Sequence, residues 1–310
     1  MHELKKTLLI GGAGFIGRNM VPFLNEADRE VSIVGRTDLK KEDLKNVAHY
    51  YQGDFTSLAF IKPLVESHDE IVLLAYASAP GTSFNDPLAD LQENLPFSIQ
   101  LFIEIAKHGK KLVLVSSGGT VYGEQQAEKI KESNNKRPIS PYGVTKVTLE
   151  NYAFLYGVTN GLDFVVVRPS NAYGTGQKPF VGQGFIATAV ASAKLNKTIA
   201  IYGEEGTVRD YVYVTDLAKG IVDVLIKGRS GTAYNIGTGV GYSNLEIVNK
   251  INKKLKKYNT QLNVEHVPAR PFDVKSNILD SSKIHHHTNW APEIDIDSGL
   301  ALVVDDVFNS

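Results

Sequence analysis

Two side chains that can exchange a proton with an alcohol, Tyr142 and Lys146, stand four residues apart in the segment 140–146. Ser140 can cap a helix and Pro141 suits its first turn, so a helix is predicted to begin here. Residues four apart lie on the same helical face, which brings an ammonium to a phenol. Because a nearby cation favours the phenolate, we expect the pKa of Tyr142 to fall towards neutral. The pair therefore predicts general acid–base chemistry on a carbon-bound hydroxyl.

This spacing by itself is more often that of an amphipathic surface pair, and the N-terminal segment supplies the support for chemistry. The apolar run 7–10 predicts a buried strand, and residues 15–25 have helical periodicity. The turn between them holds a cluster of glycines: Gly11, Gly12, Gly14 and Gly17. Such a turn lets the backbone approach a pyrophosphate, which the N–H groups and dipole of the following helix then bind. The strand, turn and helix together predict a dinucleotide site.

Apolar, strand-like runs alternate with helical stretches over the first half of the chain, which predicts an α/β fold with a doubly wound parallel sheet. The strand-like runs are 7–10, 31–34, 71–74, 112–115 and 164–167, and the helical stretches lie near 58–67, 87–107 and 141–156. After about residue 170 the elements shorten, with helices at 187–195, 215–226 and 243–257 and a strand at 199–202. We therefore predict a Rossmann domain over residues 1–170, to whose sheet later segments return, and a smaller C-terminal domain over residues 171–310.

Composition limits the possible functions. The 310 residues are 43% hydrophobic and 22% charged, enough for a large core, and the formal net charge of −1 argues against a nucleic-acid partner. Cysteine is absent, so no disulfide and no thiolate nucleophile exists. The chain enters a strand within seven residues and has no apolar run of membrane-spanning length, so we expect a cytoplasmic protein without a membrane partner. Three successive histidines, 285–287, cannot converge on one ion, so we predict a surface turn and no metal site.

The glycine turn and the Tyr142–Lys146 pair together resemble the extended short-chain dehydrogenase/reductases of the NAD-dependent epimerase/dehydratase family, in its nucleotide-sugar branch. The resemblance runs along nearly the whole chain, through segments 53–54, 75–78, 116–123 and 168–174. It implies that Tyr142 and Lys146 are the catalytic dyad. It also implies a set of residues around a nicotinamide cofactor: Gly11, Gly14, Phe15, Ile16, Gly17, Asp54, Phe55, Ala75, Ala77, Ser116, Tyr142, Lys146 and Pro169.

The same resemblance implies a nucleotide-diphosphate sugar as substrate, bound mainly by the C-terminal domain. The residues it assigns to the substrate are Ser78, Gly118, Asn171, Tyr202, Arg209 and Arg270. Two guanidinium groups suit a diphosphate because each donates paired hydrogen bonds to phosphate oxygens, although each arginine alone could form a surface ion pair. The family also implies a homodimer through the helices predicted at 87–107 and 141–156.

Two departures from the family pattern bear on the reaction. Where similar epimerases carry a serine or threonine beside the sugar hydroxyl, this chain has Gly118, so that hydroxyl must come from Thr120, Ser117 or water. We predict that Thr120 orients the sugar C4 oxygen. A dehydratase of the family needs an Asp-Glu pair at the positions of Gly119 and Thr120, so elimination is disfavoured.

The second departure lies at the end of the second strand. An NAD site has a carboxylate here to accept hydrogen bonds from the adenosine 2′-hydroxyl, whereas this chain has Gly35 followed by the cation Arg36. We therefore favour NADP over NAD, the alternative being that Arg36 points to solvent and Asp38 holds the ribose.

Cofactor and family together leave three functions open. The family resemblance favours a nucleotide-sugar 4-epimerase, which oxidises C4 transiently and returns the hydride. Residues 35 and 36 favour an NADPH-dependent reductase of nucleotide 4-keto-6-deoxy sugars. A non-catalytic NAD(P)-binding sensor is the third possibility, and the intact pair of Tyr142 and Lys146 argues against it. We predict the epimerase.

Overall fold

The computed structural model describes residues 4–40, 44–269 and 274–309, in which strands and helices alternate along the chain. The strands are β1 (Lys5–Ile10), β2 (Arg29–Gly35), β3 (His49–Gln52), β4 (Glu70–Leu73), β5 (Lys111–Val115), β6 (Asp163–Pro169), β7 (Asn171–Tyr173), β8 (Thr198–Tyr202), β9 (Val208–Tyr213), β10 (Thr232–Ile236), β11 (Gly241–Ser243), β12 (Asn263–Val267) and β13 (Ser276–Asn277). The helices are α1 (Phe15–Glu26), α2 (Leu58–Ser67), α3 (Pro87–Lys107), α4 (Pro141–Asn160), α5 (Phe185–Lys194), α6 (Val214–Lys227), α7 (Asn244–Leu255), α8 (Ser282–Thr288) and α9 (Ile296–Asn309). Within the described ranges, no helix has the length and apolar character needed to cross a membrane.

A seven-stranded parallel sheet in the order β3-β2-β1-β4-β5-β6-β10 forms the centre of the molecule. Its inner strands are almost continuously apolar because helices cover both faces. On one face, α1 and α6 pack through Met20, Leu24 and Ile221. On the other face, α2, α3 and α4 contribute residues such as Ile61 and Phe102 to a second core. This arrangement confirms the predicted doubly wound sheet.

The second half of the chain forms smaller elements around a third core. Strand β9 pairs with β7, β11 and β13, while β8 pairs with β12. Helices α5, α7 and α9 bury residues such as Val190, Ile251 and Leu300 against these strands. Strand β10 and helix α6 return to the central sheet, as the sequence predicts. The division at residue 170 into two domains stays a prediction.

The histidine run corrects one expectation. Residues 285–287 lie in α8 and do not form a surface turn. The ring nitrogen Nδ1 of His287 lies 2.7 Å from the hydroxyl of Tyr234, and Nδ1 of His285 lies 3.1 Å from the carbonyl oxygen of Trp290. These contacts hold residues 285–287 against β10 and the buried Trp290, and so stabilise a short polar segment as part of helix α8.

Candidate active site

The glycine turn joins β1 to α1 at the carboxyl edge of the central sheet. Gly11 has a φ of +83°, and a Cβ on it would lie 2.7 Å from the backbone nitrogen of Ala75. Gly17 faces the backbone of Gly12 with no room for a side chain, which lets α1 pack closely on the turn. Gly14 is the N-cap of α1 and offers no side chain to the first N–H groups of the helix. Those N–H groups have no intrahelical acceptor, so the turn fits the pyrophosphate of a dinucleotide.

The end of β2 lies beside this turn, since the backbone nitrogen of Gly11 donates to the carbonyl oxygen of Val34 at 2.9 Å. Gly35 is buried, and a Cβ on it would lie 2.8 Å from the hydroxyl oxygen of Tyr50. The Tyr50 hydroxyl donates to the carbonyl oxygen of Thr37. The guanidinium of Arg36 lies over the ring of Phe55, 5.1 Å from its centroid. Tyr50 therefore occupies the space that an acidic side chain at position 35 would need.

Asp54 lies beside this cationic group. Its Oδ1 atom accepts hydrogen bonds from the backbone nitrogen of Thr56 at 3.0 Å and from the Thr56 hydroxyl at 2.8 Å. These two bonds and the charge of Arg36 hold the pKa of Asp54 below its usual value. The sequence-predicted residues Arg36, Asp54 and Phe55 thus form one group at the end of β2.

The segment after β4 lines the opposite side of the turn. The backbone nitrogen of Ala75 donates to the carbonyl oxygen of Ile10 at 2.9 Å, which continues the sheet into the glycine turn. The backbone nitrogen of Ala77 donates to Oδ1 of Asn94 at 2.9 Å. The Ser78 hydroxyl donates to Asp90, a buried carboxylate of α3. Ser78 is therefore tied to α3.

The catalytic pair lies in the first turns of α4. Ser140 caps this helix by accepting a hydrogen bond from the backbone nitrogen of Gly143 at 3.1 Å, as the sequence predicts. Lys146 is only 4% exposed, and its Nζ atom donates to the carbonyl oxygen of Val115 at 2.9 Å. The same Nζ atom lies 5.6 Å from the ring centroid of Tyr142. Lys146 thus reaches the end of β5, at the same carboxyl edge of the central sheet as the glycine turn.

The expected fall in the pKa of Tyr142 is wrong for this structure. Burial raises the pKa of Tyr142, the charge of Asp90 raises it further, and a hydrogen bond with the Ser117 side chain opposes them. The ammonium of Lys146 donates to a carbonyl oxygen and lies beside the phenol ring. Its positive charge therefore does not offset the effect of burial on the pKa of Tyr142. Burial also lowers the pKa of Lys146 to about 7, against the charges of Glu150 and Asp90. The sequence predicted a lowered pKa for Tyr142, whereas in the structure the lowered pKa is that of Lys146.

Ser117 is the hydroxyl residue close enough to Tyr142 to lower its pKa. Thr120, which we predicted to orient the sugar, has a buried Oγ1 atom with no hydrogen-bond partner among the described residues. Gly118 has no room for a hydroxyl, because a Cβ there would lie 2.5 Å from Cδ1 of Leu279. The sequence left open whether Thr120, Ser117 or water supplies the hydroxyl beside the sugar. The geometry favours Ser117, which lies beside Tyr142, while Thr120 has a hydroxyl that is unpaired within the described ranges.

Two further predicted cofactor residues, Ser116 and Pro169, lie at the ends of β5 and β6. The Ser116 hydroxyl donates to Oε1 of Glu150 at 2.6 Å, and Arg168 pairs with both oxygens of Glu150 at 3.0 and 2.7 Å. The carbonyl oxygen of Pro169 accepts from the backbone nitrogen of Gly118 at 2.8 Å. Both predicted cofactor residues therefore hold the ends of β5 and β6 together through buried hydrogen bonds.

The predicted substrate residues of the second half lie on the smaller sheets. Asn171 is the first residue of β7, where it pairs with Tyr211 of β9. Arg209 lies in the middle of the same small sheet, and its Nη1 atom donates to the carbonyl oxygen of Val208 at 2.8 Å. Tyr202 ends β8, which belongs to a separate two-stranded sheet. Arg270 lies outside the described residues.

Two buried carboxylates in this region escaped sequence analysis. Asp210 accepts from the backbone nitrogens of Thr238, Gly239 and Leu279 at 2.9, 3.0 and 3.2 Å, and so fixes the loop after β10 beside β9. Asp90 faces the catalytic pair from α3. An aspartate in the first turn of a helix is ordinarily a favourable partner of the helix dipole, so the sequence around Asp90 carries no signal of a buried role.

The chain is similar to members of one protein family over most of its length. The model of the NAD-dependent epimerase/dehydratase family matches residues 7–237. The UDP-glucose 4-epimerase of Lacticaseibacillus casei is 30% identical over 306 residues, which cover 93% of this chain and 92% of the relative. The dTDP-glucose 4,6-dehydratase of Xanthomonas campestris is 28% identical over 326 residues, covering 96% and 92%.

Two solved structures are similar over their whole length. The UDP-glucose 4-epimerase of Thermus thermophilus, in complex with NAD, is 29% identical, and that of Thermotoga maritima, with UDP-glucose, is 30% identical. In each comparison the TM-score is 0.89, with 98% of this chain and 99% of the other covered. The matched family segment contains both the glycine turn and the catalytic pair. The chain therefore belongs to the NAD-dependent epimerase/dehydratase family of enzymes.

Proposed function

We propose that this enzyme is a nucleotide-sugar 4-epimerase that oxidises the sugar at C4 transiently with a bound nicotinamide cofactor. The observation that carries the proposal is the position of Tyr142, which lies near the Ser117 side chain and has Lys146 beside its ring, at the carboxyl edge of the sheet whose first strand ends in the glycine turn. A phenol, a hydroxyl and an ammonium at the carboxyl edge of a parallel sheet suit proton exchange with a carbinol. The full-length similarity to UDP-glucose 4-epimerases supports epimerisation within this chemistry.

In this mechanism the bound nicotinamide supplies the hydride acceptor and donor. Tyr142 exchanges the proton of the C4 hydroxyl, and Ser117 orients the phenol. Lys146 lies beside the phenol ring, so positive charge on it reduces the cost of forming the phenolate without overcoming the burial of Tyr142. Thr120 offers a hydroxyl to the C4 oxygen. Because burial raises the pKa of Tyr142, the phenol must lose its proton before it can accept the proton that the C4 hydroxyl gives up on oxidation. The phenol formed in that step then returns a proton to the C4 ketone when the hydride is returned.

The substrate is proposed to be a nucleotide-diphosphate sugar. Arg209 is part-buried on the small sheet and can donate paired hydrogen bonds to a phosphate. Asn171 and Tyr202 are proposed to contact the sugar and the base, and Arg270 is proposed as the second phosphate partner. The related Thermotoga maritima enzyme was solved with UDP-glucose, which supports this class of substrate.

A specific observation favours the second candidate, an NADPH-dependent reductase of nucleotide 4-keto-6-deoxy sugars. Tyr50 fills the space of the acidic side chain that an NAD site requires at position 35, and Arg36 stands next to it. We therefore propose NADP as the preferred cofactor, although the related Thermus thermophilus enzyme was solved with NAD. Dehydration is not proposed, because Gly119 and Thr120 lack the acid pair. The non-catalytic sensor has no support, since the family consists of enzymes.

One experiment separates the two candidates. Purified enzyme is given UDP-glucose or UDP-galactose, and the sugar nucleotides are separated while nicotinamide absorbance is recorded. An epimerase interconverts the two sugars with no net absorbance change, because the hydride removed is the hydride returned. A reductase leaves both sugars unchanged and oxidises NADPH stoichiometrically with a nucleotide 4-keto-6-deoxy sugar. That second outcome would overturn the epimerase proposal.

A homodimer is proposed through α3 and α4. These adjacent helices expose large apolar side chains, a pattern typical of an interaction surface. The exposed residues on the two helices include Leu88, Leu91, Val144, Phe154, Leu155 and Val158. A second copy of the chain that presents the same two helices would cover this face by a two-fold contact.

A further inference from the structure

The ring of Tyr76 lies between the catalytic pair and a buried carboxylate. Tyr76 follows Ala75 at the end of β4, and its ring centroid lies 4.0 Å from Nζ of Lys146. The same ring meets the ring of Tyr142 edge-on, with centroids 4.7 Å apart. The Tyr76 hydroxyl donates to the two oxygens of Asp90 at 3.3 and 3.4 Å. One side chain therefore contacts both members of the catalytic pair and is tethered at its far end.

Asp90 is a rigid anchor for this ring. It is 2% exposed in α3, and the hydroxyls of Thr145 and Ser78 donate to it alongside that of Tyr76. Thr145 precedes Lys146 on α4, and its hydrogen bond to Asp90 is 2.7 Å long. The carboxylate thus links β4, α3 and α4 at the point where the lysine emerges.

Lys146 requires compensation because its ammonium is almost completely buried. It donates to Val115, and the carboxylates whose charges act on it are Glu150, one turn further along α4, and Asp90 on α3. Glu150 also forms paired bonds to Arg168, so its charge is shared between two cations. The face of an aromatic ring attracts a cation, more strongly where water is excluded. The Tyr76 ring and the Asp90 charge behind it therefore add to the compensation that Glu150 supplies.

We infer that Tyr76 is a positioning residue for the catalytic pair, whose ring holds the Lys146 ammonium against Tyr142 while Asp90 fixes the ring. This inference rests on the proposed redox function for its catalytic meaning, but the contact with Lys146 is independent of the substrate. Tyr76 acts through Lys146 and does not itself exchange a proton. Its hydroxyl is occupied by Asp90, and burial raises the Tyr76 pKa well above its usual value.

The test follows the ionisation of Lys146 directly. Lysine labelled with carbon-13 is incorporated into the full chain, with and without NADP, and the Lys146 signal is identified by its loss in Lys146→Met. Replacing the ring in Tyr76→Leu should lower the Lys146 pKa by about half a unit to one unit, since the ammonium loses its aromatic partner. Tyr76→Phe keeps the aromatic ring and should shift the Lys146 pKa less than Tyr76→Leu does. Tyr76→Met provides a second ring-free variant should the leucine protein fail to fold.

Tyr152→Leu is the matched control, because it removes a part-buried tyrosine from α4 outside the site. Its Lys146 pKa should equal that of the unaltered protein. An unchanged pKa in the ring-free variants, or an equal shift in Tyr152→Leu, would overturn the inference. If the protein turns over no nucleotide sugar, the proposed function fails while this titration still decides the role of Tyr76.

Kinetics supply the catalytic readout once a substrate is known. Tyr76→Leu should lower kcat by roughly tenfold with little change in KM for the sugar, and should move the pH limb assigned to Lys146 in the same direction as the titration. A merely structural role would leave that pH limb in place. Unchanged kcat and pH profile together with an unchanged Lys146 pKa would show that Tyr76 is an ordinary packing residue.

Discussion

A Cβ atom on Gly35 would lie 2.8 Å from the hydroxyl oxygen of Tyr50, so the two residues fit together because position 35 has no side chain. The Tyr50 hydroxyl is also bonded to the carbonyl of Thr37, which fixes the turn that carries Arg36. The carboxylate that recognises the adenosine ribose in NAD sites is thus replaced by a phenol and a neighbouring cation. Under the proposal that NADP is the preferred cofactor, Arg36 is the group expected to recognise its 2′-phosphate.

Arg36→Ala should weaken binding of NADP(H) by about 1.5–3 kcal/mol, the scale of a hydrogen bond to a charged group, and leave NAD binding nearly unchanged. Titration of both cofactors against both proteins measures this difference. Lys62→Ala, which removes an exposed cation from α2, is the control for a general loss of positive charge. A parent protein that binds NAD more tightly than NADP would remove the basis of the prediction.

Tyr142→Phe should lower turnover by at least ~10²-fold with cofactor affinity unchanged, because the ring is kept and the proton-transfer group is lost. The measurement is kcat with a nucleotide sugar, together with cofactor binding by fluorescence. Tyr152→Phe on the same helix should retain the activity of the parent. Comparable activity in Tyr142→Phe would show that another group exchanges the proton.

Five strands of the central sheet, β1, β2, β4, β5 and β6, could be predicted because their signals are local: each, such as 31–34 or 112–115, contains a continuous apolar run. The edge strands β3 and β10 were not predicted. The short strands β7, β9, β11 and β13 lacked such signals. Asp210 of β9 accepts backbone N–H groups from the segments next to β11 and β13, a contact between parts of the chain that are distant in sequence.

The site shows the same limit. The positions of Tyr142 and Lys146 in one helix follow from local spacing, whereas their ionisation depends on burial that only the complete fold creates. Tyr76 and Asp90 are distant from the pair in sequence; the family resemblance assigns Ala75, Ala77 and Ser78 to the site but does not single out Tyr76, and it says nothing of Asp90. The pKa of Tyr142 was therefore predicted in the wrong direction, although its place in the structure was right.

Gly118→Ser should destabilise the protein by about 1–3 kcal/mol, because the added side chain meets Leu279 and the carbonyl oxygens of Arg168 and Pro169. Urea unfolding measures the free energy. Gly119→Ser is the neighbouring control, since a Cβ there would have Asn171 as its nearest contact at 3.3 Å. Equal stability of the two variants would contradict the steric account of why position 118 carries no hydroxyl.

Arg209→Ala should raise KM for a nucleotide sugar by about 10- to 100-fold with a smaller effect on cofactor affinity, because one set of phosphate hydrogen bonds is lost. Arg270→Ala, its proposed partner, should act in the same direction. Steady-state kinetics and cofactor titration separate the two effects. Unchanged KM in both variants would indicate a substrate without a diphosphate.

The exposed apolar face of α3 and α4 predicts a homodimer that polar substitution dissociates. Phe154 is 62% exposed and Val158 is 72% exposed on α4. Two glutamates here would place negative charges inside the two-fold contact. There each charge would lie close to the same substitutions in the other copy, and the charges would repel one another. We expect sedimentation equilibrium to give a dimer for the parent and a folded monomer for Phe154→Glu/Val158→Glu. Leu302→Glu, on α9 and 47% exposed, should remain a dimer. A monomeric parent, or a double variant that stays dimeric, would show that this face has another role.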